Sequence, residues 1–97
     1  MKKKIYMSLD DFGSAVGLGK MDKEVIRQKN LIIDCLKTAR QKKRISQEAL
    51  ARMLGTKQPA IARMEGGYAG EVSFDFLIRV ALALGVSLEV VPTKHAA

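Results

Sequence analysis

The stretch Ile45-Ser46-Gln47-Glu48-Ala49-Leu50-Ala51-Arg52-Met53-Leu54-Gly55-Thr56-Lys57-Gln58-Pro59-Ala60-Ile61-Ala62-Arg63-Met64-Glu65 decides the fold. Ser46 is a hydroxyl N-cap, suited to accept a hydrogen bond from the first turn of a helix over Gln47 to about Met53. Ala49, Leu50 and Met53 are its predicted inward face. Gly55 stands where a left-handed residue commonly ends a helix without steric cost. Thr56 is the predicted cap of a further helix, Lys57 to Glu65. Pro59 falls in its first turn, where a missing N–H has no partner to lose. Ile61 and Met64, three apart, face inward, and Gly66-Gly67 stop the helix. Ala49 is small where the two helices cross, and Leu50 and Ile61 fill the space between them. Two helices joined in this way project the second outward, so that its N-terminal half can enter a major groove.

The residues on that half have chemistry suited to a base edge. The Gln58 amide can pair two hydrogen bonds with adenine, and the Arg63 guanidinium can do so with guanine O6 and N7. Pro59 and Ala60 offer the small apolar contact that a thymine methyl takes. Gln47 opens the preceding helix, where backbone N–H groups and an amide can hold a phosphate. Arg52, Thr56, Lys57, Lys43 and Arg44 complete a polar, largely positive rim. The same pattern also fits a helical hairpin of another bundle with merely solvated polar residues.

Working outward, a segment from Lys23 to about Lys43 carries Val25, Ile32, Ile33, Leu36 and Ala39 at helical spacing, with Asp22 as its predicted N-cap. The polar run Gln28 to Asn30 is a point where it could divide into two helices. Ahead of it, Ser8 with Asp11 resembles a capping box, and Gly13 and Gly17 bracket a short weak helix ending by Gly19. On the other side, a helix from about Phe74 to Leu84 buries Leu77, Val80, Ala81 and Leu84 and ends at Gly85. Val86 to Pro92 then alternates β-branched and polar residues and is predicted as a single strand. A lone strand needs a partner for its backbone. Either Ser87, Leu88, Glu89, Val90 and Val91 pair with a twofold mate in a homodimer on a palindromic operator, or the tail packs irregularly on the last helix.

Composition narrows the function class. Ninety-seven residues, 47% of them hydrophobic, suit one small globular domain. No apolar run approaches the roughly 20 residues that span a bilayer, and Ser8, Asp10 and Asp11 interrupt the run a signal peptide needs. A cytoplasmic protein with no membrane partner is expected. Of the net charge of +7, residues 30–66 hold eight basic against three acidic side chains, whereas residues 67–97 hold two against three. This imbalance suits one face on a polyanion and another on a protein. Cys35 has no disulfide partner and reads as a packed thiol, and His95 as a solvated tail residue. One cysteine and one histidine make no metal site, and no catalytic set of carboxylates or of Ser, His and Asp stands out, so neither enzyme nor cofactor is expected. Gly66, Gly67 and Gly70 read as a loop, since no Lys-Ser/Thr pair follows them. Tyr68 within it suits a phosphate contact or a cover over the core equally.

The pattern Ile-Ser-Gln-x-x-Leu-Ala-x-x-x-Gly-Thr-x-Gln-x-x-Ile-x-x-x-Glu-x-Gly, within Leu31 to Leu88, resembles the XRE helix-turn-helix family of the lambdoid phage repressors and Cro. The resemblance implies an all-α, five-helix lambda-repressor-like domain with Lys57 to Glu65 as its recognition helix. It implies base contacts from Gln58, Pro59, Ala60 and Arg63, phosphate contact from Gln47, and a partly buried ion pair between Arg40 and Glu65. Residues 1–29 would then be an N-terminal helical extension, 30–86 the DNA-binding domain, and 87–97 a C-terminal strand and tail. More narrowly, Gln58 to Glu65 and the later Leu84-Gly85-x-x-Leu88-Glu89-Val90-Val91-Pro92 are similar to HigA antitoxins, which repress their own operon and bind small HigB (RelE-like) ribonucleases. That resemblance implies a basic ribonuclease toxin as partner, met by Met1 to Asn30, where Asp10, Asp11, Asp22 and Glu24 supply acidic spots. The alternatives are a stand-alone regulator of the same family and an interaction module that kept the scaffold without reading DNA.

Overall fold

The computed structural model describes residues 18–92. Four α-helices follow one another in these residues: α1 (Leu18–Lys42), α2 (Gln47–Leu54), α3 (Gln58–Glu65) and α4 (Phe74–Leu84), with a 3-10 turn at Ala69–Glu71 before the last. The expected helix between Ser8 and Gly17 lies outside the described residues.

Local chemistry accounts for most of the boundaries. The Ser46 hydroxyl accepts from the Ala49 N–H, and the Ser73 hydroxyl accepts from the Phe76 N–H, so α2 and α4 each start on a side-chain cap. Gly55 (φ 68°) and Gly85 (φ 70°) end these helices in the left-handed region, which lets the next N–H turn back: Thr56 donates to the Ala51 carbonyl and Val86 to that of Ala81. The cap of α3 differs from expectation. Lys57, in extended geometry, is its N-cap and makes no side-chain bond, so Thr56 does not cap it. The first bond of α3 runs from the Ala60 N–H to the Lys57 carbonyl, which sets the cap at Lys57, and Pro59 supplies the preset backbone of the first turn.

Helix α1 is longer and more continuous than its sequence suggests. Gly19 and Asp22 lie inside it rather than at its borders, and the run Gln28 to Asn30 does not break it. Two contacts explain the continuity. The buried Gln28 donates its amide to Glu24 one turn back (2.6 Å), and the Lys29 ammonium donates to the Val72 carbonyl across the fold (2.6 Å). The division expected between residues 29 and 30 therefore falls within a single helix.

The core is one cluster: Ile32, Ile33 and Leu36 from α1, Leu50 and Ala51 from α2, Ile61 and Met64 from α3, Ala69 and Val72 from the connecting turn, and Leu77, Val80, Ala81 and Leu84 from α4. Two expected inward residues, Val25 and Met53, are exposed, and Ala51 takes the buried place on α2. Val25, 49% exposed, lies on the solvent-facing side of α1. In α2 the apolar face is centred on Leu50, Ala51 and Leu54, one step round from the expected stripe.

The five-helix count and the C-terminal strand are not found among the described residues. The count is four α-helices and the 3-10 turn. From Val86 to Pro92 the chain is irregular, without strand pairing. A ladder needs a partner, and no other described segment is extended alongside Val86 to Pro92. Val86 and Leu88 pack against the core next to α4 instead.

Candidate nucleic-acid interface

The recognition surface is built on one side-chain network. Arg40, near the end of α1, points its guanidinium at Glu65, the last residue of α3. Nε donates to Glu65 Oε2 (2.7 Å) and Nη2 to Oε1 (2.9 Å). The third arm, Nη1, donates to the Ile45 carbonyl (2.7 Å), whose residue also donates its N–H to the Arg40 carbonyl (3.1 Å). This arginine therefore fixes the α1–α2 connection and the end of α3 together. The turn it closes holds Arg44 at φ 57°, a left-handed geometry that costs a side-chain-bearing residue about 1–2 kcal/mol.

The network continues towards the start of α3. Gln47 Nε2 donates to Glu65 Oε1 (2.9 Å), and Gln58 Nε2 donates to Gln47 Oε1 (2.7 Å). The series Arg40–Glu65–Gln47–Gln58 thus runs from the C-terminal to the N-terminal end of α3. It leaves Gln58 with its carbonyl oxygen and one amide hydrogen, the acceptor and donor that adenine N6 and N7 require. Gln47 likewise keeps one amide hydrogen for a phosphate oxygen.

Electrostatics keep the series charged at its root. The Glu65 side chain is 3% exposed and that of Arg40 11%. Burial alone would push the Glu65 carboxyl up, but hydrogen bonds from Arg40 and Gln47, with the charges of Arg40 and Lys37, outweigh it and hold the group below its ordinary value. The same pairing raises Arg40 further.

Around this framework, Pro59 and Arg63 are exposed and Gln58 and Ala60 half-buried, all on α3. Pro59, Ala60 and Arg63 form one wall of an open groove whose other wall is Glu71, Val72, Ser73 and Phe76. Lys57, Arg52, Lys43 and Arg44 are exposed, and Thr56 is half-buried at the turn. Tyr68 is largely exposed, with its ring edge close to Gly66 rather than over the core. Gly66 has no room for a side chain: a Cβ there would meet the Ala62 carbonyl oxygen at 2.9 Å.

The structure brings Arg40 and Glu65 together in the expected pair and adds what sequence reading missed. Gln47 and Gln58 bind each other, so Gln47 positions the Gln58 amide as well as opening α2. No spacing rule signals that bond, because the two residues lie on different helices. Of the expected acidic spots, Asp22 is exposed, Glu24 is tied to Arg27 and Gln28, and Asp10 and Asp11 lie outside the described residues, as does His95. The bonds from Arg27 and Gln28 hold the Glu24 carboxyl below its ordinary value. Among the described residues no helix is long and apolar enough to cross a membrane.

Comparison with known proteins gives two matches. The pattern of the family described as helix-turn-helix matches residues 36–91. The chain is also 37% identical over 76 residues to a protein of Haemophilus influenzae called an uncharacterized HTH-type transcriptional regulator, covering 75% of this chain and 76% of that protein. No solved structure matches the chain.

Proposed function

The chain belongs to the helix-turn-helix family, and from that premise we propose that it is a sequence-specific DNA-binding transcriptional repressor acting as a homodimer on a palindromic operator. The observation that carries this reading is the series Arg40–Glu65–Gln47–Gln58, which preorganises an amide with one donor and one acceptor left over at the exposed start of α3. In this reading Gln58 and Arg63 read base edges, Pro59 and Ala60 meet an apolar base edge, and Gln47, Arg52, Thr56 and Lys57 hold phosphates. The regulator name of the Haemophilus influenzae relative points the same way. Selection of binders from a random duplex pool tests it. A recurring half-site, with base preference at one position relaxed by Gln58→Ala, supports the reading. No enrichment would leave an interaction module on the same scaffold.

A second role, antitoxin to a small basic ribonuclease of the HigB type, rests on a separate observation. Helix α1 starts at Leu18, well ahead of the family match at residue 36, and its first half exposes Met21, Val25 and Ile26. Such a surface suits a protein partner. Co-expression with the product of any small reading frame found adjacent to its gene, followed by affinity purification, tests this role. A stable complex and relief of growth arrest support it. Without either, the stand-alone regulator stands.

A further inference from the structure

The positive charge around the helix-turn-helix stops at Arg63. Lys43, Arg44, Arg52 and Lys57 precede it, whereas from Met64 to Ile78 the chain holds no lysine or arginine. Its charged residues there are Glu65, which is taken up by Arg40, and Glu71 and Asp75. Of the last two, Glu71 lines the open groove of about 480 Å³ whose opposite wall is Pro59, Ala60 and Arg63. Arg63 and Glu71 are both exposed. Among the described residues neither side chain has an ion pair or a hydrogen bond, although the two share one groove.

The wall that carries Glu71 is anchored. The Glu71 N–H donates to the Tyr68 carbonyl (2.9 Å) and the Val72 N–H to that of Ala69 (3.2 Å). The Val72 carbonyl in turn accepts from the Lys29 ammonium of α1 (2.6 Å). Helix α1 therefore holds both sides of the groove, this one through Lys29 and the α3 side through Arg40. The backbone beneath the carboxylate is not free to move aside.

We infer that Glu71 is a specificity-determining residue that acts by repulsion, keeping the sugar–phosphate strand out of the groove so that only registers presenting a base edge to Arg63 bind without penalty. This deepens the DNA-reading proposal above and rests on it. Basic side chains attract every phosphate alike and carry no sequence information. A fixed negative charge instead penalises the registers that place a phosphate opposite Arg63. Discrimination then grows by weakening wrong complexes, not by strengthening the right one. A unit charge about 7 Å from a phosphate in water-like surroundings shifts an equilibrium about threefold.

Glu71→Gln in the full chain keeps the size of the side chain and removes its charge. Its binding is measured by anisotropy at low salt against two duplexes of equal length, one selected from the random pool and one of scrambled sequence. Asp34→Asn removes the same charge at an exposed position of α1 outside the groove. The expected result is that Glu71→Gln tightens the scrambled duplex about threefold and the selected one by less than about 1.5-fold, so that selectivity falls. Asp34→Asn should leave selectivity unchanged. Equal tightening of both duplexes by Glu71→Gln, or no change in either, overturns the inference. Loss of binding to the selected duplex, with preference relaxed at one base pair, overturns it as well and makes Glu71 an acceptor for a cytosine amine. A pool that yields no preferred duplex for the natural chain removes the DNA reading itself, an outcome separate from these.

Discussion

Replacing Arg40 by Met tests the root of the recognition network. The variant keeps the length of the side chain but strips Glu65 of two of its three hydrogen bonds, leaving a carboxylate 3% exposed with only the Gln47 amide. Breaking a buried pair from one side costs about 3–5 kcal/mol, because the surviving charge is uncompensated. With a urea slope of about 1.5 kcal/mol per M, the unfolding midpoint should fall by roughly 2–3 M at pH 7. The pH dependence should also reverse in sign. In the natural chain Glu65 is held below its ordinary value, so its contribution is present above about pH 4.3 and is lost as pH falls through the folded value. Without Arg40, burial dominates and raises the carboxyl. The penalty is then complete at neutral pH and shrinks as the group takes up its proton. Urea titrations followed by far-UV circular dichroism at pH 7 and pH 4 should show the gap between the two proteins narrowing in acid. A gap below about 1 kcal/mol at pH 7, or an equal gap at both, would refute the assignment of Glu65 as a buried charge compensated by Arg40.

Other outcomes can be checked with standard assays. Alanine at Gln58 or at Arg63 should cost about 1–3 kcal/mol of operator affinity and relax preference at one base pair, as read by anisotropy against single-site operator variants. Lys57→Ala should instead lower the salt slope by about 1, with sequence preference kept; a uniform loss from all three would contradict the division of roles. Arg44→Gly should stabilise the domain by about 1 kcal/mol, since it relieves a side chain held at φ 57°, and thermal melting should rise by a few degrees. Ser46→Ala should cost about 1 kcal/mol through the lost cap on the Ala49 N–H, while Thr56→Ala should cost less because Thr56 caps nothing.

What the sequence disclosed and what it withheld divide along the range of the interactions. Ser46, Gly55 and Gly85 act on backbone within one turn of themselves, so α2, α3 and α4 were legible almost to the residue. The pair Arg40–Glu65 bridges 25 positions and was reached through family resemblance, not through spacing. The run Gln28-Lys29-Asn30 reads as a break because it interrupts the apolar periodicity, although Gln and Lys are themselves good helix formers. Its continuity comes from Lys29 reaching Val72, far along the chain. Thr56 and Lys57 differ by one position, a distinction set by which carbonyl takes the first bond of α3, that of Lys57 from the Ala60 N–H. At Val86 to Pro92, β-branched composition favours extended backbone but supplies no partner for it. The four described helices leave that segment unpaired.

Helix α1 has a mechanical consequence. Its last turns, through Arg40, seat the recognition helix, and its first turns project past the core as one unbroken rod of about 37 Å. A rod transmits displacement from end to end without refolding anything in between. A partner on Met21 and Val25 would sit at the far end of the same rod from Arg40, whose network reaches Gln58. If a partner held that end, it would share the approach of α3 to a duplex, so under the proposed reading occupancy there and affinity for DNA would be linked through docking geometry.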